Sequence, residues 1–124
     1  MDSKMEECIF CKIVKGDIKA NIIYEDDLII GFLDIEPINE GHLLLIPKKH
    51  RLDLDELSEE ETIRIMEVSK LMVKRLKSEF KPDGYSIMQN GGEFNDIGHY
   101  HMHVFPRYKN DGFGWTYKEE LDCK

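Results

Sequence analysis

The sequence predicts an α+β fold, in which a mostly antiparallel five-stranded sheet carries one long helix and a short N-terminal helix. Two observations support this prediction. One segment repeats apolar residues at helical spacing after a capping box, and several short segments rich in β-branched and aromatic residues are separated by turn residues. The 124 residues fit one domain, placed at 1–124 with a core at about 8–107 and a C-terminal tail at 108–124.

The first half of the chain predicts a short helix and three strands. Residues 8–16 form the helix, which Gly16 ends. Residues 21–25 and 28–34 form a hairpin around a turn at Asp26 and Asp27. The next strand, 42–47, is apolar at nearly every position, which predicts a central strand covered on both faces of the sheet.

The second half predicts the long helix and two strands. Ser58, followed three residues later by Glu61, forms a capping box at the helix start. Residues 81–84, which include a proline and a glycine, end the helix. The last strands are 85–89 and 99–105, the latter ended by Pro106. The apolar stripe of the helix consists of Ile65, Val68, Met72, Leu76 and Phe80.

The composition excludes several functional classes. The 17 basic and 25 acidic residues give a net charge of −8, which argues against binding to nucleic-acid polymers or anionic membranes. An anionic ligand would need local positive charge, for which Lys48, Lys49 and Arg107 are candidates. The longest apolar run, 43–46, is too short to span a bilayer, and residues 1–7 lack the apolar segment of a secretory signal. We therefore expect a cytoplasmic protein whose cysteines are thiols or metal ligands.

Three alternating histidines, His99, His101 and His103, dominate the candidate chemistry. On a strand they would share one face, while the residues between them would pack beneath the long helix. Such a row suits a three-histidine catalytic metal site with an open position for water. It also suits nucleophilic catalysis by an imidazole that its neighbours hold in one tautomer. The spacing leaves both chemistries open.

The loop before these histidines is rich in glycine and asparagine. Asn90, Gly91, Gly92 and Asn95 can bring backbone N–H groups and amides close to an anion, which predicts a phosphate cradle. The sequence has neither a Walker motif nor G-x-G-x-x-G, which excludes an ordinary P-loop or Rossmann site.

Cys8 and Cys11 have the spacing of a short-range metal chelate, and thiolates favour zinc. A redox pair and two buried small residues are the alternatives. Because the sequence has no second pair of this kind, two histidines would complete a zinc site. His50 is one candidate, one of the three alternating histidines is the other, and Cys123 is interpreted as an uninvolved thiol.

Taken together, these residues resemble the histidine-triad (HIT) family. Residues 99–105 fill the pattern His-apolar-His-apolar-His-apolar-apolar at every position. The resemblance covers roughly residues 8–107, including 8–13, 32–34, 41–50 and 88–90, and is closest to the purine-nucleotide-binding, Hint-like branch.

The resemblance implies a hydrolase that acts on nucleotides. Family members cleave nucleoside phosphoramidates or dinucleoside polyphosphates at the α-phosphate and release a nucleoside monophosphate. By similarity, His101 would be the nucleophile that forms a nucleotidyl-histidine intermediate, His103 would bind phosphate oxygens, and His42 would be a buried support. The substrate-binding residues would be Asn90 at the phosphate, Asp34 at the ribose hydroxyls, and Ile9, Phe10, Ile13, Phe32 and Ile35 around the base.

The resemblance further implies a cofactor and partners. A purine nucleotide such as AMP or GMP would be the ligand, and a homodimer would form through the long helix and the neighbouring strand. The tail, especially Trp115 and Tyr117, would reach the site of the partner. One structural zinc per chain would be held by Cys8, Cys11, His50 and His99.

One departure from the family pattern concerns the leaving-group side. Many relatives carry Gln followed by Ser or Glu just before the triad, where this chain has Asn95 and Asp96 as the corresponding substrate-binding residues. The departure leaves the leaving-group preference open and favours, as an alternative function, a nucleotide-binding or interaction module with little turnover. A third hypothesis is a metal-dependent hydrolase that uses all three alternating histidines as ligands. The third triad position is His103 rather than Gln, which argues against the nucleotidyl-transferase branch.

Overall fold

The computed structural model describes residues 7–116 and residue 118. The predictions for Tyr117, Cys123 and the first six residues therefore lie outside the described part of the chain. No helix within these ranges is long and apolar enough to cross a bilayer. In chain order the elements are α1 Ile9–Lys15, β1 Ile22–Glu25, β2 Ile29–Leu33, β3 Leu43–Pro47, a 3₁₀ turn Leu54–Glu56, α2 Glu59–Phe80, β4 Gly84–Met88, a 3₁₀ turn Gly92–Phe94 and β5 Met102–Arg107.

The strands form one antiparallel sheet in the order β1-β2-β3-β5-β4. This confirms the predicted fold class, including the long helix and the short N-terminal helix. The central strand β3 contributes Leu43 and Leu45 to the core beneath α2, and Leu44 and Ile46 to a second core beneath α1. The prediction that this strand is covered on both faces is therefore confirmed.

The cap of α1 places both cysteines of the chelate pair together. Cys8 is the N-cap residue, and its thiol accepts a hydrogen bond from the backbone N–H of Cys11 at 3.3 Å. Residues three apart on a helix lie on the same side, so both thiols face the end of β3 rather than opposite directions. Gly16 ends the helix in the left-handed conformation, with φ at +86°.

The predicted capping box of α2 is confirmed. The Ser58 hydroxyl accepts from the Glu61 N–H at 3.1 Å, while the Ser58 N–H donates to the Glu61 carboxylate at 2.7 Å. The helix runs to Phe80 and ends at Lys81, whose φ of +45° is left-handed, just before Pro82. Helix α2 covers one face of the sheet, which leaves the opposite face for the site.

The start of β5 differs from the prediction. The strand begins at Met102 rather than His99, because β3 pairs with it only from Met102 to Val104. The Tyr100 N–H leaves the sheet and donates instead to the Arg51 carbonyl at 2.7 Å. The prediction that all three histidines lie on one strand is therefore wrong.

The alternation of side chains nevertheless persists through this segment. Tyr100, Met102 and Val104 all lie in the core beneath α2, as predicted, so the histidines between them face the other side. The end of the strand also differs, since β5 continues through Pro106 to Arg107. Proline is tolerated there because pairing with β3 has already ended at Val104, and the Pro106 carbonyl accepts from the Asn39 side chain at 2.8 Å.

Candidate active site and metal centre

A cavity of about 580 Å³ lies beside α1 on the face of the sheet opposite α2. Its wall is largely apolar, and a few polar groups gather near His101 and His103, which is the usual composition of a small-molecule site. The predicted residues in its lining are Ile9, Phe10, Ile13, Phe32, Asp34, Ile35, Asn90, Asp96, His101 and His103. The prediction missed ten lining residues, of which Leu33, Leu44 and Met88 fall in segments that resemble the family while the others carry no motif. These residues are Ile18, Lys19, Ala20, Leu33, Glu36, Ile38, Leu44, Met88, Phe94 and Ile97.

The four predicted metal ligands come together in what we call the thiol–imidazole cluster: Cys8, Cys11, His50 and His99. Their ligand atoms all lie within 4.8 Å of one another. Cys8 Sγ is 3.3 Å from His99 Nδ1, and Cys11 Sγ is 3.2 Å from His50 Nδ1 and 3.6 Å from His99 Nδ1. All except the half-buried His50 are fully buried. Cys8 at the N-cap of α1 and Cys11 within the helix supply the thiols, and the segments after β3 and before β5 supply the imidazoles.

The cluster fits a tetrahedral zinc ion. Zinc–sulfur and zinc–nitrogen bonds of about 2.3 and 2.0 Å place sulfur and nitrogen ligands about 3.6 Å apart at the tetrahedral angle. The sulfur–nitrogen distances of 3.2, 3.3 and 3.6 Å are within a few tenths of an ångström of that value. Two thiols with two imidazoles also form one of the donor sets used by structural zinc sites.

The orientation of His99 suits a metal ligand. Its Nε2 donates to the carbonyl oxygen of Pro47 at 2.9 Å, and because a carbonyl can only accept, the lone pair must lie on Nδ1, the atom that faces the thiols. The pKa of His99 is lowered to about 4, chiefly by burial and to a lesser extent by the nearby His50 and His101 rings, although the hydrogen bond to Pro47 opposes them. The ring is therefore neutral near pH 7, as metal ligation requires.

His101 is held the other way round. Its Nδ1 donates to the backbone carbonyl of His99 at 2.8 Å, so the lone pair of the neutral ring lies on Nε2. The Phe10 ring packs edge-on against the imidazole with centroids 5.2 Å apart. His101 is only 3% exposed yet belongs to the cavity lining. A backbone carbonyl and an aromatic ring thus fix a buried imidazole that offers one nitrogen.

A relay of hydrogen bonds orients His103. The Ile38 N–H donates to His42 Nδ1 at 2.9 Å, which leaves the proton of a neutral His42 ring on Nε2. His42 Nε2 lies 2.9 Å from His103 Nδ1, so His42 donates to His103, and His103 carries its own proton on Nε2. Burial is the main cause that lowers the pKa values of His42 and His103. The pKa of His103 is lowered to about 4, since the neighbouring His101 and His42 rings add to the effect of burial. His103 therefore presents a neutral N–H donor.

The three-histidine metal site has no support in this geometry. Among the described residues, the two groups that could hold a metal are the thiol–imidazole cluster and a set of Asp34, His42 and His103. Each of these groups contains a single one of the alternating histidines, because His99 turns toward the thiols. In the second set the His42 and His103 nitrogens already bond to each other, with the Asp34 carboxylate 3.5 and 3.9 Å away.

The predicted phosphate cradle is smaller than expected. Of its four members, only Asn90 belongs to the cavity lining. The Gly92 N–H instead donates to the Asp53 carboxylate at 3.0 Å, which ties the loop to the segment before α2. The interpretation of Gly91 and Gly92 as phosphate ligands is therefore wrong, because the backbone group of Gly92 is used within the protein and neither glycine reaches the cavity.

Asn95 and Asp96 have different environments although they are adjacent. The Asn95 side chain is buried, where its oxygen accepts from the Ile97 and Gly98 N–H groups at 3.3 and 3.0 Å and its nitrogen donates to the Leu52 carbonyl at 2.9 Å. It is absent from the cavity lining, which corrects the expectation that it contacts substrate. Asp96 does line the cavity, and its side chain is 85% exposed with Oδ1 3.9 Å from His101 Nε2.

The sequence profile of the HIT domain matches residues 15–110. This chain belongs to the HIT family. An uncharacterised HIT-like protein of Methanocaldococcus jannaschii is 41% identical to it over 93% of both chains. The adenosine 5'-monophosphoramidase of Schizosaccharomyces pombe is 39% identical over 87% of this HIT chain and 82% of its own length.

Solved structures agree with the architecture of this HIT chain. A HIT family protein of Bacillus anthracis has a TM-score of 0.85 at 38% identity, over 96% of this chain and 87% of its own. A zinc-bound histidine triad family protein of Mycobacterium smegmatis has a TM-score of 0.81 at 34% identity, over 92% of this chain and 84% of its own. The α+β HIT fold is thereby confirmed.

The charges around the HIT cavity differ from the sequence expectation. Lys48 forms an ion pair with Glu25 at 2.7 Å, and Arg107 binds Asp111 at 2.7 Å, so neither is directed to the cavity. Lys49 is likewise absent from the lining, and Lys19 is the cation among the described lining residues. The prediction that Lys48, Lys49 or Arg107 supplies positive charge at the cavity is therefore wrong. An anion in the cavity would be bound by neutral hydrogen-bond donors such as His103.

Proposed function

We propose that this protein is a nucleotide-binding hydrolase that cleaves nucleoside phosphoramidates or dinucleoside polyphosphates at the α-phosphate and releases a nucleoside monophosphate. The observation that carries the proposal is the orientation of His101, whose Nδ1–H donates to the His99 carbonyl while Nε2 keeps its lone pair beside the cavity. A fixed imidazole with a free nitrogen is an activated nucleophile. The relative named adenosine 5'-monophosphoramidase supports this reaction class.

The first step forms a covalent intermediate on His101. The Nε2 lone pair bonds to the α-phosphorus as the bond from phosphorus to the leaving group breaks. The leaving group keeps that electron pair and, when it is an amine, takes a proton from water. The positive charge that develops on the nucleotidyl-imidazole ring is stabilised by the hydrogen bond from Nδ1 to the His99 carbonyl, which was already in place.

The second step releases the nucleotide. Water attacks the phosphorus, the bond to Nε2 breaks, and its electron pair returns to His101, while the attacking water loses a proton to solvent. We assign phosphate binding to the Nε2–H of His103, because its Nδ1 is occupied by His42. His42 acts through His103 and is a positioning residue. Its predicted support of the nucleophile would be indirect, through the His103 ring that lies 5.0 Å from the His101 ring.

The cavity suits a purine nucleoside, such as that of AMP or GMP. The Asp34 carboxylate is assigned to the ribose hydroxyls, since a carboxylate can accept two hydrogen bonds, and Asn90 is assigned to the phosphate. Ile35 is almost fully exposed at the rim, where a bound base would cover it. The apolar residues assigned to the base are Ile9, Phe10, Ile13, Phe32 and Ile35.

We also propose that the thiol–imidazole cluster holds a structural zinc ion. When bound, zinc would link α1 to the segments after β3 and before β5. His99 would connect the zinc site to the catalytic site, because its side chain would bind zinc while its backbone carbonyl orients His101. The zinc-bound relative of Mycobacterium smegmatis supports this assignment.

A homodimer is proposed through α2 and β4. β4 is an edge strand of the sheet, and its Tyr85 and Ile87 are exposed, as are Ile63 and Met66 on α2. These apolar side chains lie on the elements that the family resemblance implicates. Trp115 is 88% exposed and is proposed to reach the site of the partner. We also propose that the protein functions in the cytoplasm.

Hydrolysis assays with a nucleophile variant test the proposal. Wild type should release AMP from adenosine 5'-phosphoramidate and from diadenosine polyphosphates, and H101A should not. A rapid acid-free quench followed by peptide mass spectrometry should find an adenylyl adduct on the peptide that contains His101. D55N, a change on the exposed turn Leu54–Glu56 outside the cavity lining, serves as the control and should match wild type. Equal turnover by wild type and H101A contradicts the proposal.

One observation favours the alternative of a nucleotide-binding module with little turnover. The Asp96 carboxylate lies 3.9 Å from the attacking nitrogen and opposes the approach of an anionic phosphate. Tight AMP binding by wild type, without turnover of any substrate and without an adduct on His101, would support that alternative.

A further inference from the structure

The Asp96 side chain lies at the solvent side of the reacting centre. Its Oδ1 is 3.9 Å from His101 Nε2, and the side chain is 85% exposed, whereas the His101 ring is buried. In an in-line displacement the leaving group departs on the side of the phosphorus opposite the attacking nitrogen. Since the imidazole is enclosed by protein, the leaving group must depart toward the open side of the cavity, where Asp96 is exposed.

The backbone holds Asp96 in this position. Its neighbour Asn95 is 8% exposed and uses its amide to bind the Ile97 and Gly98 N–H groups and the Leu52 carbonyl. The loop is therefore anchored on both sides of Asp96. A carboxylate that is exposed but carried on an anchored backbone remains close to whatever occupies the cavity.

The cavity lining has an excess of negative charge at this point. Its described members include the carboxylates of Asp34, Glu36 and Asp96, opposed by the ammonium of Lys19. Asp34 accepts from the Glu36 N–H and lies near His42 and His103, so it belongs to the nucleoside side of the site. Asp96 is the carboxylate that contacts the attacking ring on the other side.

We propose that Asp96 selects the leaving group by its charge. The favoured substrates are nucleoside 5'-phosphoramidates whose leaving amine carries a second, positively charged group. Leaving groups that carry a carboxylate or further phosphates are disfavoured. The inference rests on the proposed hydrolase function, and it resolves the preference between the two substrate classes in favour of phosphoramidates of cationic amines.

The chemistry of the selected reaction is the displacement already described. The bond between phosphorus and the amine nitrogen breaks as Nε2 of His101 bonds to phosphorus, and the amine takes a proton from water. Asp96 exchanges neither a proton nor electrons. A unit charge about 4 Å from another in water-like surroundings changes an equilibrium or rate constant about fivefold. A cationic tail gains about fivefold and an anionic tail loses about fivefold, so Asp96 should separate the two by about 25-fold.

Three matched substrates test the proposal. Adenosine 5'-phosphoramidates of 1,3-diaminopropane, propylamine and β-alanine place a cationic, a neutral or an anionic tail on the same phosphorus–nitrogen bond. The readout is the ratio of kcat/KM for the cationic tail to that for the anionic tail. In D96N, which keeps the shape and removes the charge, this ratio should fall about 25-fold relative to wild type. In D55N, which removes one exposed charge outside the cavity lining, the ratio should be unchanged.

Salt dependence provides a second readout. Screening weakens interactions between exposed charges, so the wild-type ratio should fall as the ionic strength rises from about 0.02 to 0.5 M. The D96N ratio should vary much less over the same range. A merely structural role for Asp96 would change the rates for all three tails by the same factor and would leave the ratio and its salt dependence as in wild type. Either of those results overturns the proposal.

Binding measurements separate this inference from the proposed function. Dissociation constants of the three phosphoramidates are measured by calorimetry with H101A and with H101A/D96N, neither of which should turn them over. The cationic tail should bind most tightly to H101A, and this preference should be lost in H101A/D96N. If wild type hydrolyses none of the compounds, the proposed function fails. The tail preferences of H101A and H101A/D96N then still test whether Asp96 selects ligands by charge. Equal binding of all tails by H101A overturns the charge selection alone.

Discussion

Two groups of histidines lie side by side in this molecule and use the same side chain in opposite ways. In the thiol–imidazole cluster, His99 donates its Nε2–H to the Pro47 carbonyl and directs Nδ1 at the thiols. Two residues later, His101 donates its Nδ1–H to the His99 carbonyl and directs Nε2 at the cavity. The backbone carbonyl paired with each imidazole therefore determines which nitrogen remains for chemistry.

The two groups also differ in whether they border a cavity. In the thiol–imidazole cluster every ligand atom lies within 4.8 Å of the others, which leaves no position for substrate and is typical of a structural metal site. The cavity histidines, which we define as His42, His101 and His103, are linked in a row that borders a cavity of about 580 Å³. One group is closed and suited to stability, and the other is open and suited to catalysis.

We expect the largest effect from removing the Nε2 atom that His101 directs at the cavity. H101A should lower kcat for adenosine 5'-phosphoramidate by about four to six powers of ten, as for other covalent catalysts that lose the nucleophile. Its zinc content, measured by elemental analysis, should equal that of wild type because His101 is outside the thiol–imidazole cluster. A parallel loss of zinc would break the division between the two groups.

Removing the thiols should have the opposite pattern. Wild type should contain about one zinc per chain, on the one-metal, four-ligand logic. C8S/C11S should lose it, and its Tm should fall by about 10 °C or more because metal binding to a folded site stabilises the fold. C123S is the matched cysteine control and should keep both the zinc and the Tm. Retention of the metal by C8S/C11S would remove these cysteines from the ligand set.

A smaller effect should follow from breaking the relay to His103. H42F keeps a ring beside Phe105, whose centroid lies 4.7 Å from that of His42, but removes the donor to His103. Positioning residues of this kind typically contribute about 10- to 100-fold, so kcat should fall by that factor with the zinc content unchanged. H42Q, which retains an N–H donor, should recover part of the loss. No change in kcat with H42F would contradict the assigned relay.

The smallest effect concerns the turn that leads into His42. Gly41 has a φ of +95°, and a Cβ there would lie 2.5 Å from the Phe80 ring, so G41A should lower the free energy of unfolding by about 1–3 kcal/mol. A Cβ added at Gly84 would have no atom within 4 Å, and the φ there is not positive, so G84A should change stability by less than about 0.5 kcal/mol. Chemical denaturation measures both variants. Equal effects would show that neither the φ nor the Phe80 contact constrains the turn.

Much of the fold, and the two thiols of the thiol–imidazole cluster, followed from patterns between neighbouring residues. The Ser58 and Glu61 capping box and the apolar spacing of β3 are local features, so they predicted α2 and a strand buried on both faces. The chelate spacing of Cys8 and Cys11 predicted two thiols on one helical turn in the same way. Here the interactions that determine the structure connect residues a few positions apart.

The errors occurred where long-range partners decide. The Tyr100 N–H bonds to Arg51 instead of continuing the β5 ladder, and the Gly92 N–H bonds to Asp53 rather than remaining open for phosphate. Asn95 is occupied by Leu52, a residue 43 positions away, which turns a predicted substrate contact into a loop anchor. No periodicity or spacing encodes such a partner.

The order of the amino acids is enough to specify the donor groups, which are five histidines and a close cysteine pair, with three of the histidines at alternate positions. Which nitrogen each imidazole offers depends on the folded chain, because a carbonyl that accepts from one ring nitrogen leaves the lone pair on the other. For His99 that carbonyl belongs to Pro47, 52 residues away. The identical side chains of His99 and His101 thereby offer opposite nitrogens, one toward the thiols and the other toward the cavity.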